Sequence, residues 1–323
     1  MRKYIVVPPP SDYGKLMWQD LKGEKNIKVL DNPYIIKNKI KYAIYRIHFS
    51  YAINKKISLP FKGIWKSIYP LEEIEFNKKD NYIIIFTDVS VCCYSAVYLE
   101  RLKSNPNVKL VLMIVNSMNR MKKVIKDQIK VFDYIYTFDK RDAEIYKFRY
   151  YPAIYSKVDI SSDKDYKPVD AFFVGVAKDR LNFLLKVFDK LNSKGYDANF
   201  YIAKVKKRDQ VYRKGIVYNK WLDYKEVLGR INKAKCIVEI MDGNNSGVTL
   251  RTLEAVCYNK KLLTNNKKLQ YMPIYNEKYM QIFEDINEIN LDFINDSSPV
   301  DYSYKNNYSP KNFIKTLEKD ISD

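Results

Sequence analysis

The sequence predicts an α/β fold made of two similar halves, each a parallel sheet flanked by helices. Three observations carry this. Short runs of β-branched and aromatic residues alternate with segments of helical spacing. That rhythm occurs twice. Between the two passes lies S-K-V-D-I-S-S-D-K-D-Y-K-P (residues 156–168), polar and proline-bearing, as an inter-domain linker would be. A chain of 323 residues suits two domains, and we place them at 1–160 and 161–323.

In order, Tyr4–Val7 and Ile27–Leu30 are predicted strands, and Ile36–Lys55 is a helix with many basic positions. Tyr82–Phe86 is a strand ending at Thr87-Asp88. A helix at about Cys93–Lys103 stops at Asn105-Pro106-Asn107. Val108–Val115 is a buried strand, Arg120–Val131 a basic helix, Asp133–Thr137 a strand and Arg141–Lys147 a short helix. After the linker come a strand at Ala171–Val174 and an amphipathic helix, Leu181–Leu191, with apolar Leu184, Leu185 and Phe188. Then follow strand Asn199–Ala203, helix Tyr224–Lys233, strand Cys236–Ile240, helix Leu250–Cys257, strand Lys261–Thr264 and a last helix from Pro310 to about Asp320.

Composition excludes several classes. With 46% hydrophobic residues the chain is not disordered, and four cysteines, two of them adjacent, do not make a disulfide scaffold. They fit a reduced, cytoplasmic setting. No apolar stretch approaches the roughly 20 residues of a membrane span. The N-terminal apolar run is too short for a signal segment and stops at Pro8–Pro10. The formal net charge is +19, of which residues 1–167 carry +13. Nucleic acid, an anionic membrane and phosphorylated small molecules could each answer such a surplus, and so could a Lys-rich genome.

The most informative stretch is E-I-M-D-G-N-N-S-G-V-T-L-R-T-L-E-A-V-C-Y-N (Glu239–Asn259). A strand runs into a loop containing two of the nine glycines, Gly243 and Gly247, and a helix begins near Thr249. A glycine-bearing loop at a helix N-terminus offers free N–H groups and the positive dipole end to phosphate. Asn245, Ser246 and Thr249 add polar groups and Arg251 a charge, and Glu254 could take two ribose or sugar hydroxyls. The plain alternative is a loop with Ser246 or Thr249 as an ordinary N-cap.

The string S-G-V-T-L-R-T-L-E-A-V-C-Y-N-K-K-L-L-T-N resembles the C-terminal-domain motif of GT-B-fold glycosyltransferases, especially bacterial capsule and lipopolysaccharide enzymes carrying S-G-x-T-x-R-x-x-E. Glu254 matches the second glutamate of their E-x7-E pair, and Ser246 stands where the first would be. F-F-V-G-V-A-K-D-R (Phe172–Arg180) resembles the first strand, loop and helix of the same domain. The resemblance implies that Gly175, Lys178 and Arg180 meet the donor diphosphate. D-Y-I-Y-T-F-D (Asp133–Asp139) is similar to the closing strand of the N-terminal domain, and W-L-D-Y-K-E (Trp221–Glu226) to the segment before the donor-base loop.

The resemblance therefore implies two Rossmann-like domains facing across a cleft, with the C-terminal helix packing back on the N-terminal domain. It implies a metal-independent transfer of sugar from a nucleotide-diphosphate donor, a UDP-sugar, to a saccharide acceptor, lipid-linked, in bacterial surface polysaccharide synthesis. No cofactor is expected. The basic helices 36–55 and 120–130 suit an anionic membrane surface, which would place the protein at its inner face.

For a general base, Asp88 at a strand C-terminal end is the first candidate and Asp12, in the loop after the first strand, the second. The single histidine, His48, reads as a packing residue, and Cys92-Cys93 as packing at a helix start. No metal site is expected: there is no C-x-x-C pair and no D-x-D spacing. Two other classes remain. One is a nucleic-acid-binding protein using the charge and the 47 aromatic residues, although no recognised binding motif is present. The other is a non-catalytic GT-B-like protein.

Overall fold

The structure, a computed structural model, describes residues 1–9, 11–30, 36, 38–54, 56–57, 59–160, 165–241 and 247–322, with only the backbone of Asp12 and Tyr51. It divides into two compact units, Met1–Ser156 with Tyr308–Asp323, and Lys157–Asn307.

The first unit contains strands β1 (Arg2–Val7), β2 (Ile27–Val29), β3 (Asn81–Thr87), β4 (Val108–Ile114), β5 (Tyr134–Thr137) and β6 (Arg149–Tyr150). Its helices are α1 (Asp12–Leu16), α2 (Lys39–His48), α3 (Tyr51–Asn54), α4 (Asp88–Val91), α5 (Ala96–Lys103), α6 (Met118–Met121) and α7 (Lys140–Tyr146). The second unit contains β7 (Val169–Val176), β8 (Ala198–Ala203), β9 (Ile216–Tyr218), β10 (Ala234–Glu239), β11 (Lys261–Thr264) and β12 (Met280–Ile282), with α8 (Leu181–Asn192), α9 (Tyr224–Lys233), α10 (Leu250–Cys257) and α11 (Asp292–Asn295). The last helix, α12 (Pro310–Ser322), returns to the first unit.

Both sheets are wholly parallel. The first has the order β2-β1-β3-β4-β5-β6 and the second β12-β11-β10-β7-β8-β9. Counted from its own first strand, the second sheet runs 3-2-1-4-5-6, the doubly wound Rossmann order. In such sheets the strand order reverses at one point, and ligands bind there, beyond the strand C-terminal ends. That point lies between β7 and β10 in the second sheet and between β1 and β3 in the first.

Each sheet is buried on both faces, which is why its strands read as continuous apolar runs. On β3, Ile84 and Phe86 enter one core of the first unit, and Ile83 and Ile85 enter the other. That other core is closed by α12, whose Phe313 meets Trp18, Tyr136 and Tyr151 edge-on. Tyr4 donates to Glu318 at 3.1 Å and Tyr136 to Asp320 at 2.5 Å. This is the return of the C-terminal helix to the first domain that the resemblance implies.

Three predicted helices are broken. In 36–55, the Asn54 amide donates to the carbonyls of His48 and Ser50 and so ends α2. In 93–103, Ser95 accepts from the Tyr98 N–H and caps a helix that begins only at Ala96, three residues late. The basic stretch 120–131 holds only the end of α6, a run of turns and a 3₁₀ turn at Gln128–Val131. Met121, Ile125 and Val131 go to the core there. The short strands β6, β9 and β12 had no readable signature.

Candidate functional site

In the second unit two strand-to-helix turns converge at the reversal point. After β7, Ala177 is buried and Lys178 takes a left-handed backbone (φ 50°), exposed to solvent. Arg180 is the first flanking residue of α8. Its guanidinium donates to the Val176 carbonyl at 3.0 Å and to the Ile240 carbonyl beyond β10. One side chain thus spans the reversal point, and its planar fork suits two acceptors held at a fixed spacing. Gly175 makes room for this: a Cβ there would lie 3.0 Å from the Phe173 ring and 3.4 Å from the guanidinium.

After β10 the organising residue is Glu239, which the sequence reading passed over. It is buried, and its carboxylate accepts the hydroxyls of Thr249, Thr252 (3.0 Å) and Thr264 (2.5 Å). Three segments are tied in this way: the end of β10, the start of α10 and the end of β11. A charged acceptor shared by hydroxyls forms stronger bonds than a neutral one, and this offsets the cost of burying it. Thr249 is the N-cap of α10, accepting from the N–H groups of Arg251 and Thr252. Asn265 and Asn266, just past β11, hold the described residues on either side of 242–246. Asn265 accepts from the Met241 N–H at 2.6 Å, and Asn266 donates to the Gly247 carbonyl at 3.3 Å. Asn245 and Ser246, like Gly243, lie outside the described residues.

Glu254 is in place on α10 but enclosed. It has no exposed surface. One oxygen accepts from the Tyr224 hydroxyl at 2.9 Å, and the other pairs with Arg251 one helical turn earlier. Burial pushes its pKa up to about 7, against the pull of Arg251 and Tyr224. Expected to face sugar hydroxyls, it instead has both oxygens engaged within the protein. Arg251, partly exposed, is the member of the pair that reaches the surface.

In the first unit, Asp12 and Asp88 flank the other reversal point. Asp88 opens α4 immediately after the capping residue Thr87, so it is not itself the cap. Its carboxylate has no exposed surface, and it accepts from the Val115 N–H and the Asn116 amide, both at 3.0 Å. Desolvation raises its pKa to about 6. So engaged, it braces the ends of β3 and β4. Asp12 is the first residue of α1, and its side chain lies outside what is described. Two residues on, Gly14 carries a constraint the sequence reading missed: a Cβ there would stand 2.3 Å from the Pro9 carbonyl oxygen. The proline run ahead of it was the available signal. His48 accepts from the Trp65 indole N–H at 2.7 Å, a packing role. Among the described residues no group of three or more His, Cys, Asp or Glu could hold a metal ion.

No protein-family model matches the sequence, and neither does any curated protein. Solved structures do match. The S. aureus MnaA–UDP co-structure aligns over 100% of this chain and 97% of its own, with 10% identity and a TM-score of 0.55. A UDP-N-acetylglucosamine 2-epimerase from Rickettsia bellii aligns over 83% and 79%, with 14% identity and a TM-score of 0.45. The glycosyltransferase SnogD from Streptomyces nogalater aligns over 82% of each chain, with 10% identity and a TM-score of 0.41. At these identities the likeness is one of fold. The protein is an α/β protein of GT-B fold, with two Rossmann-like domains.

Proposed function

We propose that the protein is a metal-independent GT-B glycosyltransferase. It takes a UDP-sugar as donor and passes the sugar to a saccharide acceptor, lipid-linked, in bacterial surface polysaccharide assembly. The carrying observation is that Arg180 bridges Val176 and Ile240 across the β7/β10 reversal point, while Glu239 ties the end of β10 to the start of α10. The positive dipole end of α10, the exposed Lys178 and the partly exposed Arg251 suit a diphosphate leaving group. A fold shared over the whole chain with a UDP-bound protein supports the choice of nucleotide. Charge developing on the leaving diphosphate would be met by side-chain cations, with no divalent ion required.

The acceptor would be taken by the first unit. The base that accepts its hydroxyl proton is sought at Asp12 and Asp88, which flank that unit's reversal point.

The test is a thermal-shift titration with UDP, GDP and CMP, followed by turnover of the preferred nucleotide's sugar in the presence of EDTA. Stabilisation by UDP and acceptor-dependent release of UDP are expected. No stabilisation by any nucleotide would sink the reading. A new UDP-sugar isomer formed without acceptor would replace transfer by epimerisation at the same site.

A further inference from the structure

Helix α2 faces the wrong way for a soluble protein. At about 100° per residue, Ile40, Ala43, Ile44 and Ile47 form one apolar stripe about 100° wide. Such a stripe normally faces the core. Here Tyr45 is the buried residue, packed on Trp65 and Phe49, and it lies about 150° round the axis from the stripe centre. Ile40, Ile44 and Ile47 are 73%, 45% and 52% exposed. The outward face is flanked on one side by Lys39 and Arg46 and on the other by Lys41, all exposed.

The neighbouring segment repeats the chemistry. Trp65 ties a 3₁₀ helix (Lys62–Ile68) to α2 through Tyr45 and His48. Around it Ile57, Phe61 and Ile64 are more than half exposed. Phe61 holds a left-handed backbone (φ 60°), a strained state for a bulky residue, while 78% of it stands in solvent. It lines a cavity of about 410 Å³ together with Val97, Lys62, Lys66 and Arg101. From residue 32 to residue 71 the chain carries eight Lys or Arg and no Asp or Glu. Acids bound this stretch: Asp31 precedes it, Glu72 follows it and pairs with Lys66 and Arg101, and Asp127 lines the cavity beside Lys62. No helix among the described residues is long and apolar enough to cross a membrane.

We propose that α2, Ile57 and the 61–66 segment form a docking surface for an anionic bilayer, with the isoleucine stripe and Phe61 entering the acyl boundary and the flanking cations meeting lipid phosphates. Apolar residues on one face with Lys and Arg beside them are the composition of interfacial helices. The absence of acids over this stretch is the charge complement of an anionic leaflet. The proposal deepens the glycosyltransferase reading, since a lipid-linked acceptor would be met at such a surface. Its test is independent of that reading, because it uses neither nucleotide nor acceptor.

The whole protein is sedimented with vesicles of phosphatidylcholine alone, or with about one-third phosphatidylglycerol. Binding to the anionic vesicles, weakened by salt, is expected. An Ile44→Asp, Ile47→Asp double variant should lower partitioning at least ~10-fold, and Lys39→Glu with Lys41→Glu should remove the preference for anionic lipid. All four positions are exposed, so melting temperature and response to UDP should be unchanged. Absence of binding, equal binding to both vesicles, or full binding by the isoleucine variant would overturn the proposal. So would a dimer that the isoleucine variant converts to monomer, because the stripe would then be covered by a second copy. UDP binding without vesicle binding would leave the donor site standing, and the reverse would leave the docking surface standing.

Discussion

Arg180 and Ile240, sixty residues apart, are joined across the strand-order reversal of the second sheet: the guanidinium of one donates to the carbonyl of the other. The same guanidinium holds the Val176 carbonyl, so one side chain closes the end of β7 against the chain leaving β10. The donor diphosphate proposed above is placed over that junction, which makes this residue the first to test.

Arg180→Ala should therefore act twice. Two carbonyls lose a charged donor, at a cost of about 1–3 kcal/mol. UDP affinity should fall further than that loss of stability explains. Arg180→Lys should rescue little of either, because a point charge cannot meet two acceptors in a plane. Chemical denaturation with and without UDP checks both.

Glu254 sets a pH dependence. Its pKa is raised from 4.5 to about 7, so the native state binds the proton more tightly than the unfolded chain. The stabilisation is present in full below about pH 4.5 and is lost as pH rises through about 7. A shift of that size corresponds to roughly 3 kcal/mol at most. Glu254→Gln should flatten the fall in stability between pH 5 and pH 8, measured by denaturant titration at each pH. An unchanged slope would assign the dependence elsewhere. Asp88, raised to about 6, gives the same sign in the first unit.

Asp12 and Asp88 can be told apart. Asp88→Asn keeps the shape but puts an amide where two donors were accepted, so a loss of about 1–3 kcal/mol in stability is expected along with any loss of activity. Asp12→Asn, if it removes the base, should lower kcat by about 10²–10⁴-fold. Steady-state kinetics beside thermal melts gives the answer.

Gly14→Ala should destabilise the first unit, because the new methyl would stand 2.3 Å from the Pro9 carbonyl oxygen and 2.7 Å from the Pro9 Cβ. Backbone must move to admit it, at about 1–3 kcal/mol. Limited proteolysis and a lowered melting temperature would show it. Gly63→Ala, with open space around its Cβ, is the control.

Much of this was legible in the sequence. The strands at 82–86, 108–115 and 261–264 and the helices at 224–233 and 250–257 appear where their patterns put them, because buried parallel strands and amphipathic helices write strong local signals. The turns carrying Gly175, Arg180, Gly247 and Thr249 were found for the same reason: glycine is scarce, and each marks a strand-to-helix change. The breaks at Asn54 and Ser95 were not legible, since they turn on single side-chain bonds to backbone.

By itself, then, the sequence determined that the chain is two α/β halves, and it located the loops where a ligand site could form. Tertiary structure alone decided what those loops hold. Strand order brings Val176 beside Ile240, and burial turns Glu254 inward and makes Glu239 the anchor of three hydroxyls. It also leaves the α2 isoleucines uncovered. The physical reason is the same in each case. Periodicity records which residues are apolar along one element, whereas pairing and burial depend on partners distant in the chain, which no local pattern names.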